Sequence, residues 1–354
     1  MKALFRILLI MTIATFIFYK YSQNKEQPPV QDQAPTLEMQ IHASTALPRP
    51  KEGVSTLIGK DEATLIEQYG EPIRKEPSAY RYEWWVYNKN PDEFMMVALL
   101  DKEVKQVFVA GREVATAPFE INSTLEEVYR TTIIEPEVML SVEDTLYTFA
   151  LTDDDLSERL LVKFEDVVAQ IFVNTKNKVT GIRFFDYETL VKLHPYDITY
   201  FDTIVDRPRT KLALKGDVTK AVNKQILDLV NLQRHYKKQK PLKKNEILMQ
   251  LATMHSEEMV EENYFEKESP TLGNIEERTK SFGYQAEEVD EVIGELMLDP
   301  IELVHAWLND EEQQKILLEG TFTHTGIGCE QDKCTQIVAK PITIPREPSP
   351  VELK

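Results

Sequence analysis

The feature that most constrains this chain is an apolar segment at its N-terminus. Residues 3–19 carry one charged side chain, Arg6, and Lys2 precedes them. The segment is slightly shorter than the roughly 20 residues of a membrane-spanning helix, and it also fits the apolar part of a cleaved signal peptide. No small-residue cleavage site follows it, because residues 18–21 read Phe-Tyr-Lys-Tyr. We predict a signal-anchor over residues 1–21, with a cleaved signal peptide as the alternative, and both place the remainder outside the cell.

The charge of the chain limits its partners. It has 59 acidic against 41 basic residues and a formal net charge of -18. Binding to nucleic acid requires cations that displace the counterions of the phosphates, and docking on anionic headgroups requires cations as well. The composition therefore argues against a nucleic-acid partner, and it limits the predicted membrane contact to the N-terminal helix.

Beyond the anchor, composition and periodicity indicate a stalk followed by a folded domain. Residues 22–53 are rich in Gln, Pro and charge, which predicts a flexible stalk. Residues 54–205 show a helical stretch followed by strand-like stretches twice. The spacing of a Leu and a Tyr in the first copy (Leu65–Tyr69) recurs in the second (Leu125–Tyr129). We predict an α+β domain built from two copies of a helix-plus-antiparallel-sheet unit.

Two adjacent tryptophans lie on a strand-like stretch of this domain. Because neighbouring residues of a strand point to opposite faces, one of Trp84 and Trp85 is expected in the core and the other half exposed. Core packing and a binding platform for sugar or peptide are both open, since aromatic rings serve either purpose.

The two cysteines of the chain, Cys329 and Cys334, are separated by four residues and flanked by strand-like sequence. A four-residue hairpin loop would set them opposite each other, within reach of a disulfide. Such a bond persists outside the cell. We therefore predict a Cys329–Cys334 bridge, with two reduced thiols on a hairpin as the alternative.

The C-terminal part of the chain carries an ordered series of short motifs. They are Val230-Asn231 with Arg234, His255-Ser256 with Met259, Tyr264-Phe265 with Ser269-Pro270, Gly294-Glu295, Trp307 with Asn309, and Phe322-Thr323 with Gly326 and Gly328. This order resembles the bacterial branch of the CAP superfamily, the cysteine-rich secretory, antigen 5 and pathogenesis-related-1 proteins. The layout is similar to membrane-linked Bacillus-type members with a CAP-associated domain ahead of the CAP domain. The resemblance implies an α-β-α sandwich over residues 217–345.

The resemblance also implies a cleft. Family members often line it with two histidines and two acidic residues, which in some members bind zinc or another divalent cation. Carried over to this chain, the two acidic positions fall on Glu295 and Asp310, and the two histidine positions fall on Lys267 and Thr321. Zinc needs about three protein ligands, with imidazole the usual donor. We therefore expect no metal and no cofactor, and an ion pair between Lys267 and the cleft carboxylates.

One further histidine is a candidate for the cleft. His255 shares a helix face with apolar residues four positions away on either side, Leu251 and Met259. This placement is typical of a buried structural histidine, although the motif that contains it also leaves a cleft-lining role open.

Three functions are compatible with the sequence. The first is a non-catalytic binding or assembly module of the cell envelope, whose partner is an envelope protein, peptidoglycan or a lipid. The second is a hydrolase in which Glu295 and Asp310 act as acid and base with His255, which requires their pKa values to differ. The third is a lipid-binding protein. The lost histidines favour the first.

Overall fold

The computed structural model describes residues 46–200, 203–205, 214–296 and 298–342. The predicted anchor, and the predicted stalk as far as residue 45, lie outside the described residues. Within those residues no helix is both long enough and apolar enough to cross a bilayer. The folded region begins earlier than the predicted stalk boundary at residue 53. Leu47 already pairs with the body of the protein, through backbone hydrogen bonds to Lys163 (3.1 Å) and from Glu165 (2.9 Å).

The N-terminal region, residues 46–205, is built on two antiparallel sheets. Its helices are α1 (Glu62–Tyr69), α2 (Leu125–Thr131), α3 (Asp155–Glu158) and α4 (Tyr187–Leu193). Its strands are β1 (Arg74–Pro77), β2 (Glu83–Tyr87), β3 (Met95–Leu100), β4 (Glu103–Val109), β5 (Glu137–Val142), β6 (Thr145–Ala150), β7 (Arg159–Lys163), β8 (Val167–Val173), β9 (Val179–Asp186), β10 (Asp197–Tyr200) and β11 (Thr203–Val205). One sheet has the order β1-β2-β3-β4-β9-β8-β7 and the other β11-β10-β6-β5.

Both halves of this region begin with a short capped helix. The Asp61 side chain caps α1 by accepting from the Thr64 N–H, and Thr124 and Glu127 form a capping box at α2. Each half then contributes strands to the same seven-stranded sheet, four from the first and three from the second. The region is therefore a mixed α+β structure, as predicted.

Both tryptophans are buried, so the expectation of one half-exposed ring was wrong. Trp84 is 3% exposed and Trp85 is 1% exposed. They do point to opposite faces of the sheet, but each face is covered. Trp84 packs in a core that includes β6, β10 and the C-terminal region, and Trp85 packs in a core with α1 and α2. Their rings serve packing, because tertiary structure covers a face that an isolated strand would leave to solvent.

The C-terminal region, residues 214–342, is an α-β-α sandwich, as the resemblance implied. Its elements are α5 (Asp217–Tyr236), β12 (Lys243–Lys244), α6 (Glu246–Glu261), α7 (Ile275–Ser281), β13 (Ala286–Glu295), α8 (Pro300–Asn309), α9 (Glu311–Leu318), β14 (His324–Glu330) and β15 (Lys333–Pro341). The sheet order is β12-β14-β15-β13. Helices α6 and α7 cover one face, and α5, α8 and α9 cover the other.

The presence of glycine at two positions of the last motif has a steric cause. A Cβ at Gly326 would lie 2.0 Å from the carbonyl carbon of Leu248, and one at Gly328 would lie 2.2 Å from the Thr253 nitrogen. Both of these neighbours are backbone atoms of α6. Helix α6 thus packs directly on the backbone of β14, and side chains at these two positions would push it away.

The predicted disulfide is confirmed. Cys329 and Cys334 are paired directly across the β14–β15 hairpin and form an S–S bond. Both are buried, at 1% and 0% exposure, in the core that includes α5 and α8. The bond therefore links the two central strands of the C-terminal sheet next to their turn.

We expect the Cys329→Ala, Cys334→Ala double variant to lose about 2 kcal/mol of the free energy of unfolding. Loop-closure entropy gives this figure for a loop of this size, and the lost side-chain packing adds to it. Urea denaturation of the segment from Ala43 onward, which forms one compact unit, measures the difference. An unchanged midpoint and slope would show that the bond contributes nothing to stability.

Candidate functional site

The loop after α6 carries Lys267, the first of the substituted histidine positions. Its Nζ lies 2.6 Å from Oε1 of Glu312, in the first turn of α9. Its backbone oxygen accepts a hydrogen bond from Arg278 (3.0 Å). The expected ion pair with a cleft carboxylate is therefore replaced by a pair with Glu312, which motif spacing did not single out.

The two predicted cleft acids both have structural partners. Glu295 ends β13 and forms an ion pair with Lys333 at the start of the neighbouring strand β15. The Lys333 ammonium also lies 4.9 Å from the ring centroid of Phe265. Asp310 is the N-cap of α9, where its Oδ1 accepts from the Gln313 N–H at 2.9 Å. One acid therefore neutralises a lysine, and the other caps a helix.

Thr321 lies at the other end of the sheet from Glu295. Its hydroxyl donates to Oε2 of Glu288 at 3.0 Å. Glu288 precedes Glu295 by seven residues along β13, which corresponds to about 23 Å in an extended strand. The antiparallel order β14-β15-β13 explains the separation, because the start of β14 is level with the start of β13 across β15. The structure therefore does not bring Thr321 together with Glu295.

His255 belongs to a buried charged cluster between α6, α7 and β13. His255, Arg278 and Glu291 are each at most 2% exposed. Arg278 Nη2 lies 2.5 Å from both carboxylate oxygens of Glu291. His255 Nδ1 lies 3.4 Å from Glu291 Oε2 and 3.5 Å from the Thr335 hydroxyl. Glu291 is thus occupied by a guanidinium and is not a free base for His255.

A hydrogen-bonded rim continues from this cluster toward solvent. Glu258 accepts from the Tyr264 hydroxyl (2.8 Å) and from the Thr271 hydroxyl. Burial alone would raise the pKa of Glu258, but hydrogen bonds from Ser269, Thr271 and Tyr264 outweigh it and lower the pKa. Burial, and then the hydrogen bond to Glu258, raise the pKa of Tyr264. Glu258 is therefore held as a carboxylate by neutral donors.

A second buried charged cluster joins the two regions through α8. Arg183 of β9, which is fully buried, donates to Asp299 Oδ1 at 2.9 Å. Glu302 accepts from Arg159 (2.8 Å) and from Gln170 (2.7 Å). Burial raises the pKa of Asp299, although Arg183 opposes this. Burial also acts to raise the pKa of Glu302, but the nearby guanidinium groups, Arg159 first, outweigh it and lower the pKa.

Sequence reasoning missed this α8 cluster. Its pairs join residues more than 100 positions apart, and no local motif marks such pairs. The available signal was the presence of Asp and Glu in the first turn of an otherwise apolar helix, which usually indicates capping alone.

His305 completes the α8 cluster. Its ring meets Phe172 edge-on, with centroids 5.0 Å apart, and it is 8% exposed. Burial lowers the pKa of His305 to about 4. The imidazole is therefore neutral at physiological pH, and it packs between the two regions.

We expect the burial of His305 to make stability pH-dependent. Its pKa is 6.5 when exposed and about 4 when folded, so between these values the unfolded chain binds the extra proton. The free energy of unfolding therefore carries no penalty from His305 above pH 6.5. It falls by roughly 3 kcal/mol on account of this group as the pH drops from 6.5 toward 4. His305→Gln should lose less stability than the parent over this range in urea denaturation. His235→Gln is the matched control, because His235 is exposed, and its curve should parallel the parent. Parallel curves for all three proteins would refute the assignment.

Two further sets of contacts join the same regions. Arg74 pairs with Asp228 and with Glu76, and Gln225 donates to Glu76 at 3.0 Å. The Tyr236 hydroxyl donates to the backbone oxygens of Ala110 (3.1 Å) and Pro91 (3.2 Å). Residues 43–354 form one compact unit. The two regions are thus held together by buried polar contacts as well as by a shared apolar core.

No three His, Cys, Asp or Glu side chains are grouped as metal ligands in the part of the chain that the structure describes. This agrees with the individual contacts above, in which each cleft carboxylate faces a cation or backbone donors.

Comparison with known proteins settles the family. The family model described as cysteine-rich secretory protein family matches residues 227–339, and the model described as CAP-associated N-terminal matches residues 58–196. A crystal structure of an extracellular protein containing a SCP domain from Bacillus anthracis str. Ames is 31% identical, with a TM-score of 0.75, over 82% of this chain and 95% of that one. The chain belongs to the cysteine-rich secretory protein (CAP) family.

Two further proteins align with most of this chain. The uncharacterized membrane protein YlbC of Bacillus subtilis (strain 168) is 29% identical over 331 residues, which is 93% of this chain and 96% of that protein. A cysteine-rich secretory protein from Staphylococcus aureus subsp. aureus Mu50 shares the fold, with 24% identity and a TM-score of 0.72, over 83% of this chain and 97% of that one. The α8 contacts described above are thus contacts between a CAP-associated domain and a CAP domain.

Proposed function

We propose that this CAP protein is a non-catalytic binding module of the cell envelope, held at the outer face of the membrane by its N-terminal segment. One observation carries the proposal. The side chains at the cleft positions are committed to structural contacts: Glu295 to Lys333, Asp310 to the N-terminus of α9, and Lys267 to Glu312. General acid–base catalysis instead needs two titratable groups that converge on one bond and have pKa values set apart.

The other histidine candidate gives no better support to a hydrolase. His255 is 1% exposed, and its Nδ1 faces the Arg278–Glu291 pair. A base in this position has no access to a substrate larger than water. Its burial supports a structural role.

The joint packing of the two domains supports a binding role. A module that holds a partner benefits from a rigid surface, since less conformational entropy is lost on binding. Buried ion pairs between the domains, such as Arg183 with Asp299, favour one relative orientation. The names of the relatives support the location, because one is described as a membrane protein and another as extracellular.

The proposal is tested by incubating the purified protein with peptidoglycan sacculi from a Gram-positive bacterium. We expect the protein to sediment with the sacculi while soluble saccharide and free amino groups stay at the level of a no-protein blank. A known peptidoglycan hydrolase serves as the positive control. Catalytic release of fragments, abolished by Glu295→Gln or by Asp310→Asn, would overturn the proposal in favour of a hydrolase.

A further inference from the structure

A strongly basic stretch interrupts this acidic protein between α5 and α6. We call its five lysines the lysine patch: Lys237, Lys238, Lys240, Lys243 and Lys244. All five are exposed. Residues 229–245 contain no Asp or Glu, although the average acidic content of the chain would place about three in a span of this length. The patch is therefore a local reversal of the overall charge of -18.

The backbone that displays the patch is held from below by the buried side chain of Arg234. Its guanidinium donates to the backbone oxygens of Lys240 (2.9 Å), Leu317 (2.7 Å) and Phe322 (2.9 Å). Arg234 is 0% exposed. The guanidinium donors are therefore occupied by carbonyl oxygens, and the loop that carries the lysines is fixed to the α9–β14 connection.

A second motif residue fixes the other half of the loop. Asn231 accepts from the Leu242 N–H (2.7 Å) and donates to the Leu242 oxygen (3.2 Å). The Lys243 N–H donates to the Thr323 oxygen at 2.9 Å, which aligns β12 beside β14. The lysine backbones are thus preorganised, so a ligand need order only the side chains.

The lysines have few ion-pair partners. Among the described residues, only Lys244 of the five forms an ion pair, with Glu246 at 3.0 Å. Both side chains of that pair are more than half exposed, so it contributes little. Asp228 and Glu246 flank the stretch in sequence. Two more acids make contacts at its margins: Asp92 faces His235 at 3.8 Å, and the Glu319 carboxylate accepts from the Thr321 N–H at 3.4 Å.

Structural roles account for part of the patch only. Lys237 follows the last residue of α5, where a cation is favoured by the helix dipole. Lys243 and Lys244 form an edge strand, where lysine discourages pairing with another chain. Neither role requires Lys240, and neither explains the absence of acidic residues across the whole stretch.

We propose that the lysine patch binds a linear, phosphate-bearing polyanion of the cell envelope. Phosphate groups spaced along a flexible chain can each meet one of several exposed ammonium groups carried on a fixed backbone, and release of counterions drives such binding. A flexible linear polymer can contact the patch alone. A flat anionic bilayer would cover a wider area and would be repelled by a protein whose net charge is -18. No large apolar side chain is exposed in residues 229–245, so the patch has no group to insert into lipid.

The inference goes beyond the proposed function, because it uses none of the cleft residues. The Glu295→Gln variant should therefore bind the polymer as the parent does. Failure of the non-catalytic proposal would appear as fragment release from sacculi, whatever the lysine patch binds.

The test uses the full chain in phosphatidylcholine nanodiscs and fluorescently labelled, lipid-free poly(glycerol phosphate), titrated at several salt concentrations. We compare Lys237→Gln, Lys240→Gln, Lys243→Gln with a control that loses three exposed lysines elsewhere: Lys60→Gln, Lys176→Gln, Lys280→Gln. The patch variant should bind at least about tenfold more weakly, and the slope of log K against log salt should become shallower by about 2. The control should stay close to the parent.

Two results of the titration would overturn the inference. One is that the parent does not bind the polymer at low salt, and the other is that the control variant is weakened as much as the patch variant. Competition separates the sources of phosphate. Unlabelled polymer should displace the label, whereas empty phosphatidylglycerol nanodiscs and inorganic phosphate at the same phosphate concentration should not. Displacement by the anionic discs would assign the patch to the membrane surface, and displacement by inorganic phosphate would indicate a single-phosphate site.

Discussion

Replacing Glu291 by Gln is expected to lower the free energy of unfolding by about 3–5 kcal/mol. The variant keeps the shape of the side chain but removes the charge that Arg278 faces at 2.5 Å. Both side chains are at most 2% exposed, so the guanidinium would remain buried without a counter-charge. His255, 3.4 Å from the same carboxylate, would lose its acidic neighbour as well. Urea denaturation of the segment from Ala43 onward measures the loss.

A matched control lies on the same strand. Glu288 is exposed, so Glu288→Gln should change stability by no more than about 0.5 kcal/mol. The double variant Arg278→Met, Glu291→Leu should recover part of the loss, because it removes both buried charges together but also removes the donor to the Lys267 and Gly273 oxygens. Equal effects of Glu291→Gln and Glu288→Gln would mean that the cluster is not a stabilising element of the CAP domain.

Replacing Asp299 by Asn is expected to have a comparable effect and to loosen the contact between the domains. Asn is as good an N-cap as Asp, so α8 keeps its cap to the Ile301 and Glu302 N–H groups. The variant removes only the negative charge facing Arg183, which is 0% exposed. We expect a loss of about 3–5 kcal/mol and a single calorimetric transition that splits into two, one for each domain.

Asp310 provides the control for this variant. It also caps a helix of the CAP domain, α9, through its side chain, but no arginine pairs with it in the described residues. Asp310→Asn should therefore leave the transition single and its midpoint within a degree or two of the parent. A single, unshifted transition for Asp299→Asn would contradict the assignment of the α8 cluster as the joint between the domains.

Local sequence patterns predicted much of the fold. The recurring spacing of Leu125 and Tyr129 predicted the second helix, strand-like stretches predicted the strands, and hairpin spacing predicted the Cys329–Cys334 bond. These features depend on contacts between residues close in sequence. The order of motifs indicated the CAP sandwich. Gly326 and Gly328 give a physical reason for one of these motifs, because α6 packs on their backbone and leaves no room for a side chain.

The remaining features depended on contacts between distant residues. Trp85 is fully buried because α1 and α2 cover its side of the sheet, which a strand pattern does not reveal. The partner of Lys267 is Glu312, 45 residues away. Glu291 neutralises Arg278 from a neighbouring element. Tertiary packing decides which charged side chains meet. Motif spacing identified Lys267 as a cleft position, but it could not identify the residue that pairs with it.

We propose above that the cleft carboxylates of this CAP domain serve structure rather than chemistry. Calorimetric titration of zinc into the full chain tests this claim most directly, because the resemblance implies a cleft that in some family members binds a divalent cation. We expect no saturable heat at a one-to-one ratio, since Glu295, Asp310 and Glu291 already face Lys333, the α9 N-terminus and Arg278. Stoichiometric binding that disappears in Glu295→Gln or His255→Gln would contradict the claim and would make the cleft a metal site.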